Sequence, residues 1–118
     1  MLSRPPDQLV YSVDRLAPGI YGAFFGALGE AHSGIRVTPT NYYRNKQQNE
    51  RVGGAQGSQH QLGLAFDLVY PSYAERMEAI TRMRRTGLVV IDEGDHVHVQ
   101  AWPAPIALRA LRSLGILR

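Results

Sequence analysis

The chain has 118 residues, no cysteine, and 13 basic against 10 acidic side chains, a formal charge of +3. A chain of this length fits one domain with one modest core, so we expect residues 1–118 to form a single domain. The absence of cysteine excludes disulfides, thiolate zinc sites, iron–sulfur clusters and thiol nucleophiles, so any metal must be bound by nitrogen and oxygen ligands. The small excess of positive charge does not favour nucleic acid as a partner.

The N-terminal segment lacks the apolar run of a signal peptide. No stretch approaches the ~20 apolar residues of a membrane span. We therefore expect a chain that is made as a soluble protein and does not insert into a membrane. The sequence leaves the oligomeric state open, and a monomer is the simplest expectation.

The first half of the chain predicts a helix, a strand, a loop and a second strand. In that order, the four elements are residues 20–32, 35–38, 41–59 and 64–70. The first helix of the chain is expected to follow Gly19, where apolar residues begin to recur at helical spacing. Pro39 closes the first strand, and polar residues with several glycines indicate a surface loop. The second strand alternates, and it carries Asp67 on one face.

The second half predicts a helix, a β-hairpin and a final helix. The elements are residues 72–87, strands 88–91 and 96–100, and a helix that begins at residues 103–105. Ser72 and Glu75 form a capping box at the start of the first helix, and Gly87 is its expected stop. Helices and antiparallel strands in this order indicate an α+β domain with a small antiparallel sheet.

Four residues have the chemistry of a metal site. His96 and His98 share one face of the predicted strand, where they either bind a metal or are half-exposed polar residues. His60 and Asp67 add an imidazole and a carboxylate, and two histidines with one carboxylate suit a catalytic zinc ion that keeps a position for water. Gly63 allows a tight turn between them. The competing interpretation of Asp67 is a buried, hydrogen-bonded carboxylate.

Two motifs carry a resemblance to a known family. Residues 58–67 read Ser-Gln-His-Gln-Leu-Gly-Leu-Ala-Phe-Asp, and residues 95–98 read Asp-His-Val-His. This pair resembles the zinc D-Ala-D-Ala carboxypeptidase family of metallopeptidases. Upstream, Tyr43-Arg44 and the Asn-x-x-Val-Gly-Gly segment at 49–54 match as well, so the resemblance covers about residues 34–100. The chain departs from the pattern at Tyr42, where the family has glycine, and at Phe66, where a small residue is frequent.

The resemblance implies a Hedgehog/DD-peptidase-like fold, in which helices pack on one side of a small antiparallel sheet. It implies a zinc-dependent peptidase that cleaves peptidoglycan stem peptides, either as a D-Ala-D-Ala carboxypeptidase or as an L-Ala-D-Glu-type endopeptidase. A phage lysis or virion-associated enzyme that acts on the bacterial cell wall fits the small size, and a bacterial source stays open. The alternative is a non-catalytic zinc-binding module of the same fold that binds cell wall or a protein partner.

The resemblance also implies roles for individual residues. His60, Asp67 and His98 would bind Zn²⁺. Asp95, three residues before His98, would be the general base; its other interpretation is an ordinary turn residue, and Asp92 and Glu93 are rival acids in the same turn.

Substrate contacts are implied as well. His96 would hydrogen-bond the substrate or the developing oxyanion. Arg44 would polarise the scissile carbonyl or hold a substrate carboxylate, and a permanently charged, forked guanidinium suits both roles. Tyr43 would reach the site from the loop, and Ser58 would either cap the turn or support a metal ligand.

Overall fold

A four-stranded antiparallel sheet organises the protein. The computed structural model describes residues 2–118, and its strand order is β1-β2-β4-β3. The strands are β1 Thr38–Asn41, β2 Ala65–Val69, β3 Val89–Asp92 and β4 Val97–Gln100. Strands β3 and β4 form the predicted hairpin, with Val90 opposite Val99. The predicted α+β class is confirmed.

Five α-helices and one 3₁₀ turn accompany the sheet within residues 2–118. They are α1 Asp7–Leu16, α2 Ile20–Ala31, α3 Lys46–Arg51, α4 Tyr73–Arg85, α5 Ala104–Ser113 and the 3₁₀ turn Gln59–Leu62. The predictions of α2, α4 and α5 are confirmed. The hydroxyl of Ser72 accepts a hydrogen bond from the backbone N–H of Glu75, which caps α4 as expected. The second half of the expected capping box is absent, because the Glu75 carboxylate accepts from the backbone N–H of Arg36 and not from that of Ser72. In the described part of the chain, no helix has the length and apolar character needed to cross a membrane.

Three predictions of local structure were wrong. Helix α1 precedes the helix that was expected to come first, and it buries Val13 completely. Helix α3 lies inside the expected loop. It begins at Asn45, whose side chain accepts from the backbone N–H of Gln48 while the Gln48 side chain accepts from the N–H of Asn45. Strand β1 begins where the predicted strand 35–38 was to end, so Pro39 lies within it. An edge strand tolerates proline because its outer N–H groups pair with no neighbouring strand.

The two faces of β4 have different roles. Val97 and Val99 are fully buried, and they belong to an apolar core that helices α2, α4 and α5 complete. The large buried side chains of these helices are Phe24, Ile80, Met83 and Leu111. His98 and Gln100 alternate with the two valines and are only half-buried. The sheet therefore places its polar side chains on the face opposite the core.

Candidate metal site and cleft

Asp67 and His98 are neighbours across strands β2 and β4. They are a directly opposed pair in the antiparallel register, so their side chains leave the sheet on the same face. Asp67 Oδ1 lies 3.2 Å from His98 Nδ1. The side chains are 14% and 16% exposed, so both are largely withdrawn from solvent but still reachable from one side.

His60 reaches the same carboxylate from the 3₁₀ turn. The hydroxyl of Ser58 accepts from the backbone N–H of His60, and Gly63 ends the turn with a φ of 69° before the chain enters β2. The His60 side chain is 1% exposed, and its Nε2 lies 3.3 Å from Asp67 Oδ1. Its Nδ1–H donates to the carbonyl oxygen of Tyr42 (2.6 Å). The hydrogen bond to Tyr42 therefore fixes the orientation of the His60 ring, with Nε2 facing Asp67.

Tyr42 and Phe66, two residues at which the chain departs from the family pattern, contact each other. The rings of Tyr42 and Phe66 stack, with centroids 4.4 Å apart and an interplanar angle of 10°. Tyr42 is largely buried, at 9% exposure. The two large side chains thus pack against each other, and the backbone carbonyl of Tyr42 accepts from His60.

The donor set fits a zinc ion. One ligand atom each of His60, Asp67 and His98 lies within 4.8 Å of the others. The donor atoms of a tetrahedral zinc site lie roughly 3.3 Å apart for bonds of about 2.0–2.1 Å, close to the two distances given above. In each histidine, the ring nitrogen that points away from Asp67 faces an oxygen acceptor and therefore carries a hydrogen. These nitrogens are Nδ1 of His60, which faces Tyr42 O, and Nε2 of His98, which faces Gln100 Oε1. If the rings are neutral, the nitrogens nearest Asp67 present lone pairs to its carboxylate, an arrangement that a bound cation stabilises.

The electrostatics of the cluster favour a charged carboxylate. When the ring nitrogens nearest Asp67 carry hydrogens, burial opposes ionisation of Asp67, but hydrogen bonds and charges from His60 and His98 outweigh it and hold the pKa of Asp67 well below its usual range. For His98, burial lowers the pKa, whereas hydrogen bonds to Asp67 and Gln100 raise it, and the net shift is upward. The Asp67 carboxylate is therefore ionised between the two imidazoles.

A cleft of about 720 Å³ opens beside the cluster. It is bordered by His60, Asp67 and His98 together with Arg44, Glu93 and His96, and by the glycine-containing segment 53–58. The backbone N–H of Arg44 donates to the carbonyl oxygen of His60 (3.0 Å). Burial lowers the pKa of Arg44, and the charge of Asp67 partly offsets this. Within residues 2–118, the buried Nε of Arg44 has no hydrogen-bond partner, and the side chain borders the cleft.

Asp95 stands apart from the other predicted site residues. Its side chain is 89% exposed, and Oδ1 lies 2.7 Å from His96 Nδ1. The hydrogen bond to His96 holds the pKa of Asp95 below its ordinary value. Asp95 borders a smaller pocket of about 240 Å³, and His96 borders both this pocket and the cleft. Glu93, one of the rival acids, borders the cleft itself.

The remaining predicted residues lie near the cluster. Ser58 borders the cleft and caps the turn that carries His60. Tyr43 is half-buried and, with Arg44, borders a neighbouring pocket of about 250 Å³. Two glutamines were missed: Gln100 contacts His98, and Gln59 holds the backbone of Trp102. The signal for Gln100 was available, because it lies two residues after His98 and so on the same strand face.

Comparison with known proteins places this geometry in a family. A family model described as peptidase M15 matches residues 24–100, more than half of the chain. The chain belongs to the peptidase M15 family. The match contains all three residues of the cluster, and it confirms the resemblance to zinc D-Ala-D-Ala carboxypeptidase-like enzymes within M15. Comparisons with curated proteins and with solved structures gave no match.

Proposed function

We propose that this M15-family chain is a zinc peptidase that cleaves peptide bonds in peptidoglycan stem peptides. The observation that carries the proposal is the convergence of His60, Asp67 and His98 at one side of a cleft that Arg44 also borders. Two neutral imidazoles and a carboxylate suit catalytic zinc, which keeps a position for water. The M15 match supports peptide chemistry for that site.

The three residues of the cluster would hold the metal. When bound, a zinc ion supplies Lewis acidity that polarises a peptide carbonyl and lowers the pKa of a water molecule. His60 is held by Tyr42, and Asp67 is held in its ionised form, so the site is arranged before a metal arrives. This pre-arrangement reduces the cost of ordering the ligands.

Arg44 would orient the substrate. Its forked guanidinium and its position on the cleft suit a peptide carbonyl or a carboxylate of the stem peptide. Partial burial strengthens such a contact because the guanidinium is less hydrated there than at the surface. His96 borders the cleft, and its Nδ1–H donates to Asp95, so Nε2 would accept from the substrate when the ring is neutral and donate to a developing oxyanion when the ring is protonated.

Asp95 would accept and return the proton of the attacking water. The motif spacing supports this assignment, and the hydrogen bond to His96 keeps the carboxylate ionised. The competing acid is Glu93, because its side chain borders the cleft. The two acids occupy the same hairpin and are separated by substitution of each in turn.

The substrate test uses two defined stem peptides, one ending in D-Ala-D-Ala and one containing an L-Ala-D-Glu bond. Zinc-dependent loss of one terminal alanine would identify a carboxypeptidase, and cleavage after L-Ala an endopeptidase. If the zinc-loaded protein binds either peptide but cuts neither, it is a non-catalytic module of the same fold. The exposed position of Asp95 favours this second function, because a module has no need for a base in the cleft.

The setting of the reaction is part of the proposal. The cell wall would be reached after delivery by a phage particle or after lysis. The net charge of +3 suits a polyanionic wall. Digestion of intact sacculi compared with soluble stem peptides measures this preference.

A further inference from the structure

The side chain of Gln100 lies behind the imidazole of His98. Both residues are on the same face of β4, and Gln100 Oε1 is 2.8 Å from His98 Nε2. The amide group of Gln100 donates from its nitrogen to the carbonyl oxygen of Trp102 (2.9 Å). Gln100 therefore contacts the backbone with one end of its amide and the proposed metal ligand with the other.

The backbone contact decides which end of the amide faces the ring. A carbonyl oxygen only accepts, so Trp102 requires the NH₂ group of Gln100. The oxygen Oε1 is then left for His98, and because an amide oxygen also only accepts, the ring must donate from Nε2. With its hydrogen on Nε2, His98 offers Nδ1 as the ligand atom, the nitrogen that lies 3.2 Å from Asp67.

A second glutamine fixes the backbone that Gln100 contacts. Gln59 is 1% exposed, and its amide donates to Trp102 O (2.6 Å) and accepts from Trp102 N–H (2.9 Å). Gln59 directly precedes His60 on the 3₁₀ turn. The contact thus ties the turn that carries His60 to the end of the strand that carries His98.

We propose that Gln100 is a positioning residue for the metal: it presents Nδ1 of His98 to the ion, and Gln59 holds Gln100 in the orientation this requires through Trp102. The inference rests on the proposed function, because it assumes zinc at His60, Asp67 and His98. Partners that orient a ligating histidine typically contribute 10–100-fold to metal affinity. The contacts with Trp102 and His98 satisfy the amide groups of Gln59, which is buried, and Gln100, which is half-buried.

The experiment compares zinc affinity among the unsubstituted protein, Gln100→Met, Gln100→Glu and Gln61→Met by competition with a chelator. Gln100→Met keeps the length of the side chain and removes the acceptor, so we expect zinc affinity to fall about 10–100-fold. Gln100→Glu keeps an accepting oxygen for His98 but loses the donor that contacts Trp102 O, so its affinity should fall less than that of Gln100→Met. Gln61→Met is the matched control. Gln61 lies on the 3₁₀ turn next to His60, and its buried amide donates only to the backbone carbonyls of Gln56 and Ser58. Its removal should therefore leave zinc affinity unchanged.

A second readout follows the ring itself. In the zinc-loaded protein, nitrogen-15 NMR should show a hydrogen-bonded Nε2–H on His98 in the unsubstituted protein and Gln100→Glu, and an unprotected one in Gln100→Met. Equal zinc affinity in all variants, or loss of affinity in Gln100→Glu as large as in Gln100→Met, would overturn the role of Gln100. If the unsubstituted protein binds no zinc, both this inference and the proposed function fail. Zinc binding that depends on Gln100 without peptide cleavage refutes only the function.

Discussion

Gly63 lies between two proposed zinc ligands, and replacing it with alanine should destabilise the protein by two separable effects. Its φ of 69° is in the left-handed region, where a side chain costs about 1–2 kcal/mol. An added Cβ would also lie 2.8 Å from Cγ of Pro5 and 3.1 Å from the hydroxyl of Tyr42. Pro5 is a buried ring that cannot swing away, so we expect a further 1–3 kcal/mol, roughly, from overpacking.

Gly87 supplies the matched control. It has a φ of 87°, but a Cβ there would meet no atom within 4 Å. Gly87→Ala should therefore show the backbone cost alone. Gly63→Ala should exceed it by about 1–3 kcal/mol, the overpacking contribution. Adding Pro5→Ala to Gly63→Ala should recover part of this excess, because the closest contact is then removed.

The free energy of unfolding is measured by urea denaturation in the presence of a chelator, so that metal binding does not add to the stability. A loss for Gly63→Ala no larger than that for Gly87→Ala would refute the packing argument. So would a Pro5→Ala background that leaves the excess unchanged. Either result would mean that the turn before β2 is held less tightly than its contacts indicate.

Three further predictions concern the fold, the metal and the proton. Tyr21→Phe should lower the free energy of unfolding by about 0.5–1.5 kcal/mol, because the hydroxyl donates a 2.6 Å bond to a carbonyl of the 3₁₀ turn. Burial raises the pKa of Tyr21 in the folded protein, so the stability that this side chain contributes is present below the tyrosine pKa of the unfolded chain, about 10, and is lost as the pH rises further. Equal alkaline unfolding curves for Tyr21→Phe and the unsubstituted protein would contradict this. His60→Ala should abolish zinc retention after dialysis, measured by elemental analysis, whereas His32→Ala should retain zinc, and the reverse pattern would exclude the assigned site. Asp95→Asn should retain zinc and lose cleavage by about 10²-fold or more, while Glu93→Gln changes the rate only a few-fold; the opposite ranking would move the base to Glu93.

Much of the fold was predictable because its signals are local. Strand β2, the β3–β4 hairpin and helix α4 follow from alternation, turn residues and a capping serine, all of which act within a few residues. Period two placed His98 on the face opposite the buried valines, whereas His96, expected in the same strand, lies in the bend just before it. The spacing from His60 to Asp67 similarly encodes a turn followed by a strand.

The errors arose where distant contacts decide the structure. Helix α1 is completed by burial of Val13 against the rest of the core, and β1 takes its position from pairing with β2. The acceptor for His60 is a backbone carbonyl, that of Tyr42, which no residue pattern reveals. Motif spacing assigned a base to Asp95, but the conformation of the hairpin turn decides which acid borders the cleft.

The most direct test is mass spectrometry of purified peptidoglycan fragments incubated with the zinc-loaded protein, with chelator-treated protein and with His98→Ala. The account predicts a single new product mass, from cleavage of one stem-peptide bond, only with the zinc-loaded protein. Restoring zinc after chelation should restore that product, but not in His98→Ala. Cleavage that persists after complete removal of metal, or no cleavage by a protein shown to hold zinc at this site, would contradict the central claim.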